Sequence, residues 1–180
     1  MGDPMTDMTY VERAARVKLM IFDVDGVLTD GSLHYGSEGE ALKTFNVYDG
    51  LGIKLLQESG VQTAIISARV SPQVVKRAAD LGIGFLHQGG HDKLTPFNAL
   101  LEKTGLTAGQ VGFIGDDIVD LPILTRVGFA VAVPGGRKEV LERAHHTTVA
   151  QGGRGAVREV CELLLHAQGT YERVLAQFMV

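Results

Sequence analysis

The chain has 180 residues, of which 45% are hydrophobic, and its formal net charge is −4 at pH 7. This length and composition are enough for one compact domain with a sizeable core, and no apolar run is long enough to span a membrane. The negative charge argues against a nucleic-acid partner, while the single cysteine, Cys161, excludes an internal disulfide and indicates a reducing, cytoplasmic compartment.

The chain begins with a segment that carries no motif and continues with a buried strand. Residues 1–16 are expected to form a loose N-terminal arm. An apolar run then predicts a first strand at about 17–24, buried on both faces of a parallel sheet. Residues 31–47 alternate in polarity and are rich in Gly and Ser, which predicts a β-hairpin inserted between this strand and the first helix, with its turn near 37–39.

From residue 49 onward, strand-like and helix-like segments alternate. Helices are predicted at about 49–59, 71–81, 93–104, 118–126, 137–144 and 156–167. Strands are predicted at about 61–66, 85–87, 111–114, 129–133 and 147–149. This alternation predicts an α/β fold with a doubly wound, mostly parallel Rossmann-like sheet. No linker or repeat interrupts it, so residues 1–180 are expected to form a single domain that ends in a Gly-rich loop, a helix and a tail at 152–180.

Two carboxylates follow the first strand at positions i and i+2. Asp23 and Asp25 project to the same side of the strand end, and Gly26 lets the chain turn sharply there. Close like charges favour a hard cation between them, Mg2+ above all. The later strand ends carry further polar residues, namely Ser67, Lys93, Asp116, Asp117 and Asp120. Because the strand ends of a doubly wound sheet converge on one crevice, this set is expected to meet in space.

The chemistry that this set suggests is phosphoryl transfer through a covalent aspartyl intermediate. Mg2+ held by Asp23 and Asp116, together with Lys93, would offset the repulsion between an attacking carboxylate and a phosphate dianion. Ser67 could donate a hydrogen bond to a phosphoryl oxygen. A sugar alkoxide is a strongly basic leaving group, so Asp25 would protonate it and then deprotonate the hydrolytic water.

Taken in order, the polar clusters resemble the four motifs of the haloacid dehalogenase superfamily of phosphatases. These clusters are Asp23–Asp30, Ser67, Lys93 and Gly115–Asp120. The resemblance implies that Asp23 is the nucleophile, that Asp25 is the acid/base and binds Mg2+ through its backbone carbonyl, and that Asp116 is a further metal ligand. It also implies that Asp117 or Asp120 would hold metal-bound waters or position Lys93.

The spacing of the motifs leaves no room for a cap domain between Asp25 and Ser67, or between Ser67 and Lys93. With no room for a cap domain, the chain resembles the small capless subgroup of the superfamily that acts on phosphates of eight- and nine-carbon sugar acids. Within it, the chain is most similar to the phosphatases of 3-deoxy-D-manno-octulosonate 8-phosphate (KDO 8-phosphate). Further sequence segments that resemble these phosphatases are Lys43–Ile53, Ala68–Arg69, His87–Gly89 and Gly152–Val160.

That resemblance implies Mg2+-dependent hydrolysis of KDO 8-phosphate in lipopolysaccharide precursor biosynthesis. It also implies a homotetramer, in which the hairpins form a central barrel and a C-terminal segment reaches a neighbour's site. Arg69 and Arg154 would bind the sugar acid, because a guanidinium pairs bidentately with a carboxylate. The related nine-carbon enzymes tend to have glutamate at both places, so arginine favours the eight-carbon substrate. Ala68 departs from the more usual glycine.

Three other functions stay open at this point. One is a phosphatase of a nine-carbon sugar acid phosphate, such as KDN or sialic acid 9-phosphate. Another is a catalytically silent oligomerisation domain of the same fold, although no motif residue is missing here. The last is a receiver-type signalling domain, which would take its phosphate at a later strand, whereas the paired aspartates here follow the first strand.

Overall fold

In the computed structural model, which describes residues 8–179, six parallel strands form the central sheet and two more form a separate hairpin. The strands are β1 (Leu19–Phe22), β2 (His34–Gly36), β3 (Gly39–Leu42), β4 (Gln62–Ser67), β5 (Phe85–Gln88), β6 (Val111–Gly115), β7 (Phe129–Ala132) and β8 (His146–Thr147). The central sheet has the order β5-β4-β1-β6-β7-β8, and each neighbouring pair is parallel. The predicted doubly wound α/β fold is confirmed, and between β1 and β4 the chain forms only the hairpin and one helix.

Helices cover both faces of the sheet. They are α1 (Tyr10–Ala15), α2 (Val47–Glu58), α3 (Pro72–Leu81), α4 (Leu94–Thr104), α5 (Leu121–Leu124), α6 (Lys138–Leu141), α7 (Ala156–Ala167) and α8 (Tyr171–Leu175). Short 3-10 turns lie at Ala108–Gln110, Ile118–Asp120 and Ala176–Phe178. The core has two layers, with α1, α2, α3, α7 and α8 on one face and α4, α5 and α6 on the other. No helix within residues 8–179 is both long enough and apolar enough to cross a membrane.

Strand β1 is the centre of the sheet and positions the site. It lies between β4 and β6, and all four of its residues are buried. Met20 and Phe22 enter one core layer, and Leu19 and Ile21 enter the other, as alternation along a strand requires. The chain runs from β1 outward to β4 and β5, then crosses back to β6 on the other side of β1. The carboxyl ends of β1 and β6 therefore meet at the switch point, where α/β folds bind ligands.

The expectation of a loose arm over residues 1–16 is wrong for the part of that segment that the structure describes. Residues 1–7 lie outside the described part of the chain, but Tyr10–Ala15 form helix α1. A capping box starts this helix: the Thr9 side chain accepts from the Glu12 N–H, and the Glu12 side chain accepts from the Thr9 N–H. Ala14 is fully buried in the same core layer as α7.

Two predicted helices are shorter than expected. The segment 118–126 divides into a 3-10 turn and the four-residue helix α5, because Asp117 caps the turn and Asp120 turns its side chain back onto the preceding loop. The predicted helix 137–144 is regular only over Lys138–Leu141, since the His145 N–H already bonds the carbonyl of Ala130 in β7. Neither change affects the strands that carry the site.

Candidate active site

The end of β1 carries the two aspartates into the switch point. The Asp23 N–H still bonds the Ile114 carbonyl of β6, at 3.1 Å, so this residue is fixed to the sheet and its side chain is buried. Gly26 follows with φ at +85°, and a Cβ there would collide with the Asp116 carboxylate. Glycine is therefore required both for the turn and for the approach of the loops after β1 and β6.

Lys93 lies buried between two carboxylates at the start of α4. Its Nζ lies 2.8 Å from Asp23 Oδ1 and 2.6 Å from Asp120 Oδ1. Burial by itself acts to lower the pKa of Lys93, but the charges of Asp23 and Asp120 outweigh it and raise that pKa. The ammonium is therefore charged and points at the predicted nucleophile.

Asp120 is fully buried and uses both of its oxygens within the protein. While Oδ1 accepts from Lys93, Oδ2 accepts the N–H groups of Asp116 at 2.9 Å and Asp117 at 3.1 Å. Asp120 thus shapes the loop after β6 and holds the lysine. Asp117 is exposed, and its carboxylate accepts the Ile118 N–H at 2.7 Å. Of the two alternatives left open by the sequence, this geometry supports Asp120 as the residue that positions Lys93.

A cluster of carboxylates at this point fits a hard cation. Asp23, Asp116 and Asp120 each offer an oxygen within 4.8 Å of the others. Within residues 8–179, the buried Oδ1 of Asp116 has no hydrogen-bond partner. Burial and then the charge of Asp120 raise the pKa of Asp23 to about 8, and the same two causes lead in raising the pKa of Asp116 to about 7. Burial and mutual repulsion make the charged forms of these carboxylates costly, and a divalent cation stabilises such charged forms.

Most of the predicted site residues line one cleft of about 300 Å³, and Asp120 and Arg154 are the exceptions. Ser67 ends β4, is buried, and its Oγ accepts the Arg69 N–H at 3.4 Å. The lining residues of the cleft include Asp23, Asp25, Ser67, Arg69, Lys93, Asp116 and Asp117. A larger cavity of about 510 Å³ lies at the amino ends of β1, β4 and β5, and its lining contains no carboxylate. The polar cleft is therefore the candidate active site.

Arg69 is held at the mouth of the cleft by the hairpin. Its Nη2 lies 3.1 Å from Glu40 Oε2 and 3.3 Å from the Tyr35 hydroxyl, and its Nε lies 3.7 Å from Asp25 Oδ2. The Lys43 ammonium also lies at this point and forms ion pairs with both Asp25 and Glu40. Sequence reasoning missed Glu40 and Lys43, because an inserted hairpin gives no sign of which strand end it covers.

Arg154 lies beside the cleft rather than in it. It belongs to a glycine-rich loop that packs tightly on the loop after β1: a Cβ on Gly153 would lie 2.5 Å from the Asp30 nitrogen. The Arg154 side chain is 71% exposed, and its Nη2 lies 3.6 Å from Asp30 Oδ2. It lines an adjoining cavity of about 270 Å³ that shares Gly26 and Asp116 with the cleft. The loop is therefore a packed wall that presents this arginine to the site.

The fold and this set of groups define a haloacid dehalogenase-like hydrolase. The family model with that description matches residues 80–159 of the chain. This segment contains Lys93 and the aspartates of the last motif.

Named relatives make the assignment more specific. The chain is 45% identical to the 3-deoxy-D-manno-octulosonate 8-phosphate phosphatase of Escherichia coli K12, over 93% of this chain and 89% of that protein. It is 46% identical to the Yersinia pestis protein of the same name, over 94% and 90%. The solved structure of the Moraxella catarrhalis phosphatase, in complex with a magnesium ion, a phosphate ion and KDO, has a TM-score of 0.91 and 43% identity, over 94% of this chain and 97% of that one. The chain belongs to the family of KDO 8-phosphate phosphatases, and the predicted family is confirmed.

Proposed function

We propose that this protein is a Mg2+-dependent phosphomonoesterase that hydrolyses KDO 8-phosphate to KDO and phosphate, a reaction of lipopolysaccharide precursor biosynthesis. The observation that carries the proposal is the position of Asp23. It directly follows the central strand β1 and contacts the Lys93 ammonium at 2.8 Å. It also lies beside Asp116, whose Oδ1 has no hydrogen-bond partner among residues 8–179, and the chain belongs to this family of phosphatases.

In the proposed reaction, a carboxylate oxygen of Asp23 attacks phosphorus and the ester oxygen leaves, which produces an aspartyl phosphate. The carboxylates of Asp23 and Asp116 and the backbone carbonyl of Asp25 would hold Mg2+, which when bound neutralises charge on the phosphoryl group. Lys93 supplies fixed positive charge beside the nucleophile, and the Ser67 hydroxyl donates to a phosphoryl oxygen. Asp120 keeps the lysine in place.

Asp25 is the proposed acid and base. Its protonated carboxyl gives a proton to the leaving sugar oxygen as the P–O bond breaks. The resulting carboxylate then takes a proton from the water that attacks the aspartyl phosphate, and inorganic phosphate leaves while Asp23 is restored. The carboxylate lies on the wall of the cleft, two residues after the nucleophile, where both protons can reach it.

Arg69 and Arg154 are the proposed contacts to the sugar acid. The Arg69 side chain is 39% exposed at the cleft, and Arg154 borders the adjoining cavity. Both can pair bidentately with the carboxylate of the substrate. The related nine-carbon enzymes tend to have glutamate at these two places, so the two arginines support an eight-carbon rather than a nine-carbon sugar acid as the substrate.

The assembly that we propose is a homotetramer formed through the hairpins. Large apolar side chains are exposed on and just after the hairpin, namely Leu33, Tyr35, Leu42, Val47 and Tyr48. Exposed apolar groups in one continuous region typically mark a contact surface. The cytoplasm is the proposed compartment, supported by the single, fully buried Cys161, which needs no oxidising environment.

The test is phosphate release from KDO 8-phosphate, KDN 9-phosphate and a hexose 6-phosphate, each with Mg2+ and with a chelator. We expect a strong preference for KDO 8-phosphate that the chelator abolishes. Preference for the nine-carbon compound would keep the mechanism and contradict the argument from Arg69 and Arg154. No release from any substrate would instead support a silent oligomerisation domain.

A further inference from the structure

Four charged side chains form a closed ring beside the nucleophile. Lys43 Nζ bonds Asp25 Oδ1 and lies 2.8 Å from Glu40 Oε1. Glu40 Oε2 lies 3.1 Å from Arg69 Nη2, and Arg69 Nε lies 3.7 Å from Asp25 Oδ2. Cations and anions alternate around the ring, so each carboxylate has a different cation on each of its oxygens. Such an arrangement fixes the orientation of both carboxylates.

The hairpin supplies half of this ring. Glu40 lies in β3, and Lys43 follows directly after that strand. The Lys43 side chain is only 1% exposed although it belongs to a surface hairpin. Burial by itself acts to lower the pKa of Lys43, but its bonds to Asp25 and Glu40 outweigh that effect and raise it. A lysine that is buried and charged in this way is held by its partners and is not a solvated surface group.

The hairpin is also fixed to the main domain at this point. The side-chain amide of Gln73, in α3, donates to the backbone carbonyls of Glu40 and Ala41, at 3.5 and 3.2 Å. The Tyr35 hydroxyl of β2 accepts from Arg69. The position of Lys43 relative to Asp25 is therefore set by contacts from both strands of the hairpin and from α3.

We propose that Lys43, held by Glu40, is a positioning residue that orients the carboxyl of Asp25 for proton transfer to the leaving group. The hairpin is then part of the catalytic apparatus as well as a contact surface. This inference rests on the proposed role of Asp25 as the acid. Because Oδ1 accepts from the ammonium, the proton that Asp25 delivers is carried by Oδ2, the oxygen on the side of Arg69, whose residue lines the cleft.

Substrates should depend on Lys43 to different extents, according to the basicity of their leaving groups. In the first step the Asp23–phosphorus bond forms, the phosphorus–oxygen bond breaks, and the proton on Asp25 Oδ2 moves to the departing oxygen. An alkoxide needs that proton, whereas p-nitrophenolate is weakly basic and leaves without it. Loss of Lys43 should therefore slow the transfer from alkyl phosphates and spare the transfer from p-nitrophenyl phosphate.

The experiment measures kcat/KM of wild type, Lys43→Met and Lys43→Arg on KDO 8-phosphate, a hexose 6-phosphate and p-nitrophenyl phosphate with Mg2+. This ratio reports the first phosphoryl transfer and excludes the later hydrolysis of the aspartyl phosphate, which all three substrates share. For Lys43→Met we expect a loss of about 100-fold on both alkyl phosphates and less than about 3-fold on p-nitrophenyl phosphate, given the usual size of acid catalysis. Lys43→Arg, which keeps the charge, should recover part of the loss.

The controls distinguish a failure of the inference from a failure of the proposed function. Lys54→Met removes an exposed lysine of α2 and should match wild type on every substrate. An equal loss on all three substrates, or no loss, would overturn the role of Lys43 in positioning the acid. A loss on KDO 8-phosphate alone would also overturn it, since Lys43 would then recognise the sugar acid. Inactivity of the wild type would instead refute the proposed function itself.

Discussion

At the scale of single residues, the proposed reaction depends most on Asp23, which follows β1. Asp23→Asn keeps the size of the side chain but removes the charged nucleophile, so phosphate release should fall by about 1,000-fold or more. The measurement is kcat on KDO 8-phosphate, with circular dichroism to show that the fold is kept. Asp80→Asn, an exposed aspartate at the end of α3, is the matched control and should leave kcat unchanged. Substantial turnover by Asp23→Asn would rule out the covalent mechanism.

The raised pKa values of two buried carboxylates predict how pH and metal act together. In the metal-free protein the pKa of Asp23 is about 8 and that of Asp116 about 7, with burial the leading cause for both. Since an unfolded aspartate has a pKa of about 3.9, the folded state holds more protons between pH 4 and 8. Stability of the metal-free protein should therefore be highest at the acid end of this range and fall as pH rises through the folded pKa values.

Mg2+ should offset that trend, because the cation replaces the protons on the two carboxylates. We expect the increase in melting temperature caused by Mg2+ to be larger at pH 8 than at pH 6, and the dissociation constant of Mg2+ to decrease over the same interval. Thermal melting with chelator and with saturating Mg2+ at both pH values measures the first, and titration calorimetry the second. An increase in melting temperature that does not depend on pH would show that protons and metal do not compete at Asp23 and Asp116.

The sequence predicts that the candidate catalytic residues lie together, but it does not predict the residues that hold them in place. Asp23, Asp25 and Gly26 lie in one short segment whose strand geometry fixes their relative positions, so local reasoning was sufficient. Lys43 reaches Asp25, and Glu40 reaches Lys43, only because the hairpin folds over the strand end. That placement depends on tertiary contacts such as those of Gln73. Alternation along a strand tells which residues share a face but gives no indication of what that face covers.

At the scale of elements, the contact between α2 and α7 includes one buried carboxylate beside its apolar core. Asp49, in the first turn of α2, accepts the N–H of Arg158 at 2.8 Å and that of Gly155 at 3.4 Å, at the start of α7. Burial raises the pKa of Asp49, although its backbone hydrogen bonds oppose the shift. The carboxylate caps the unsatisfied amides at the start of α7 and ties α2 to that helix.

Removing that cap should destabilise the protein. Asp49→Ala leaves the part-buried N–H groups of Gly155 and Arg158 without this partner, which costs about 1–3 kcal/mol of the free energy of unfolding. Urea denaturation measures the effect, and Asp80→Ala, on an exposed helix face, should change the value by less than about 0.5 kcal/mol. Equal stability of Asp49→Ala and wild type would mean that water satisfies these amides and that the cap does not hold α7.

Elements with strong local signals were predicted within a few residues, and the failures have identifiable causes. Helix α3 runs from Pro72 to Leu81 and ends at Gly82, as the proline and glycine signals indicate. The local sequence does not indicate helix α1, although Thr9 and Glu12 form a capping box. The helix is short, and its burial against α7 depends on tertiary contacts. Helix α6 was overextended because its helical pattern continues into residues that instead lead into β8.

At the scale of the whole molecule, the hairpin is the element that the proposed assembly would complete. Strands β2 and β3 form a two-stranded sheet, and within residues 8–179 neither pairs with the central sheet. An isolated two-stranded hairpin is at best marginally stable in water, and open strand edges tend to pair with another chain. Its exposed Leu33, Tyr35 and Leu42 add an apolar surface that other copies would bury. Assembly would thus stabilise the same hairpin that brings Lys43 to Asp25.

Charge placed on that apolar surface should therefore disrupt both assembly and turnover. Leu33 is 43% exposed on the hairpin, and Leu33→Asp would repeat a negative charge at the centre of the proposed tetramer. Light scattering should give four times 19.3 kDa for wild type and a smaller species for Leu33→Asp, whose kcat on KDO 8-phosphate should also fall because the hairpin is less well held. Val149→Asp, at a position 88% exposed away from the hairpin, should remain tetrameric and active. A monomeric wild type would refute the proposed assembly, and a tetrameric Leu33→Asp would place the contact surface elsewhere than on the hairpin.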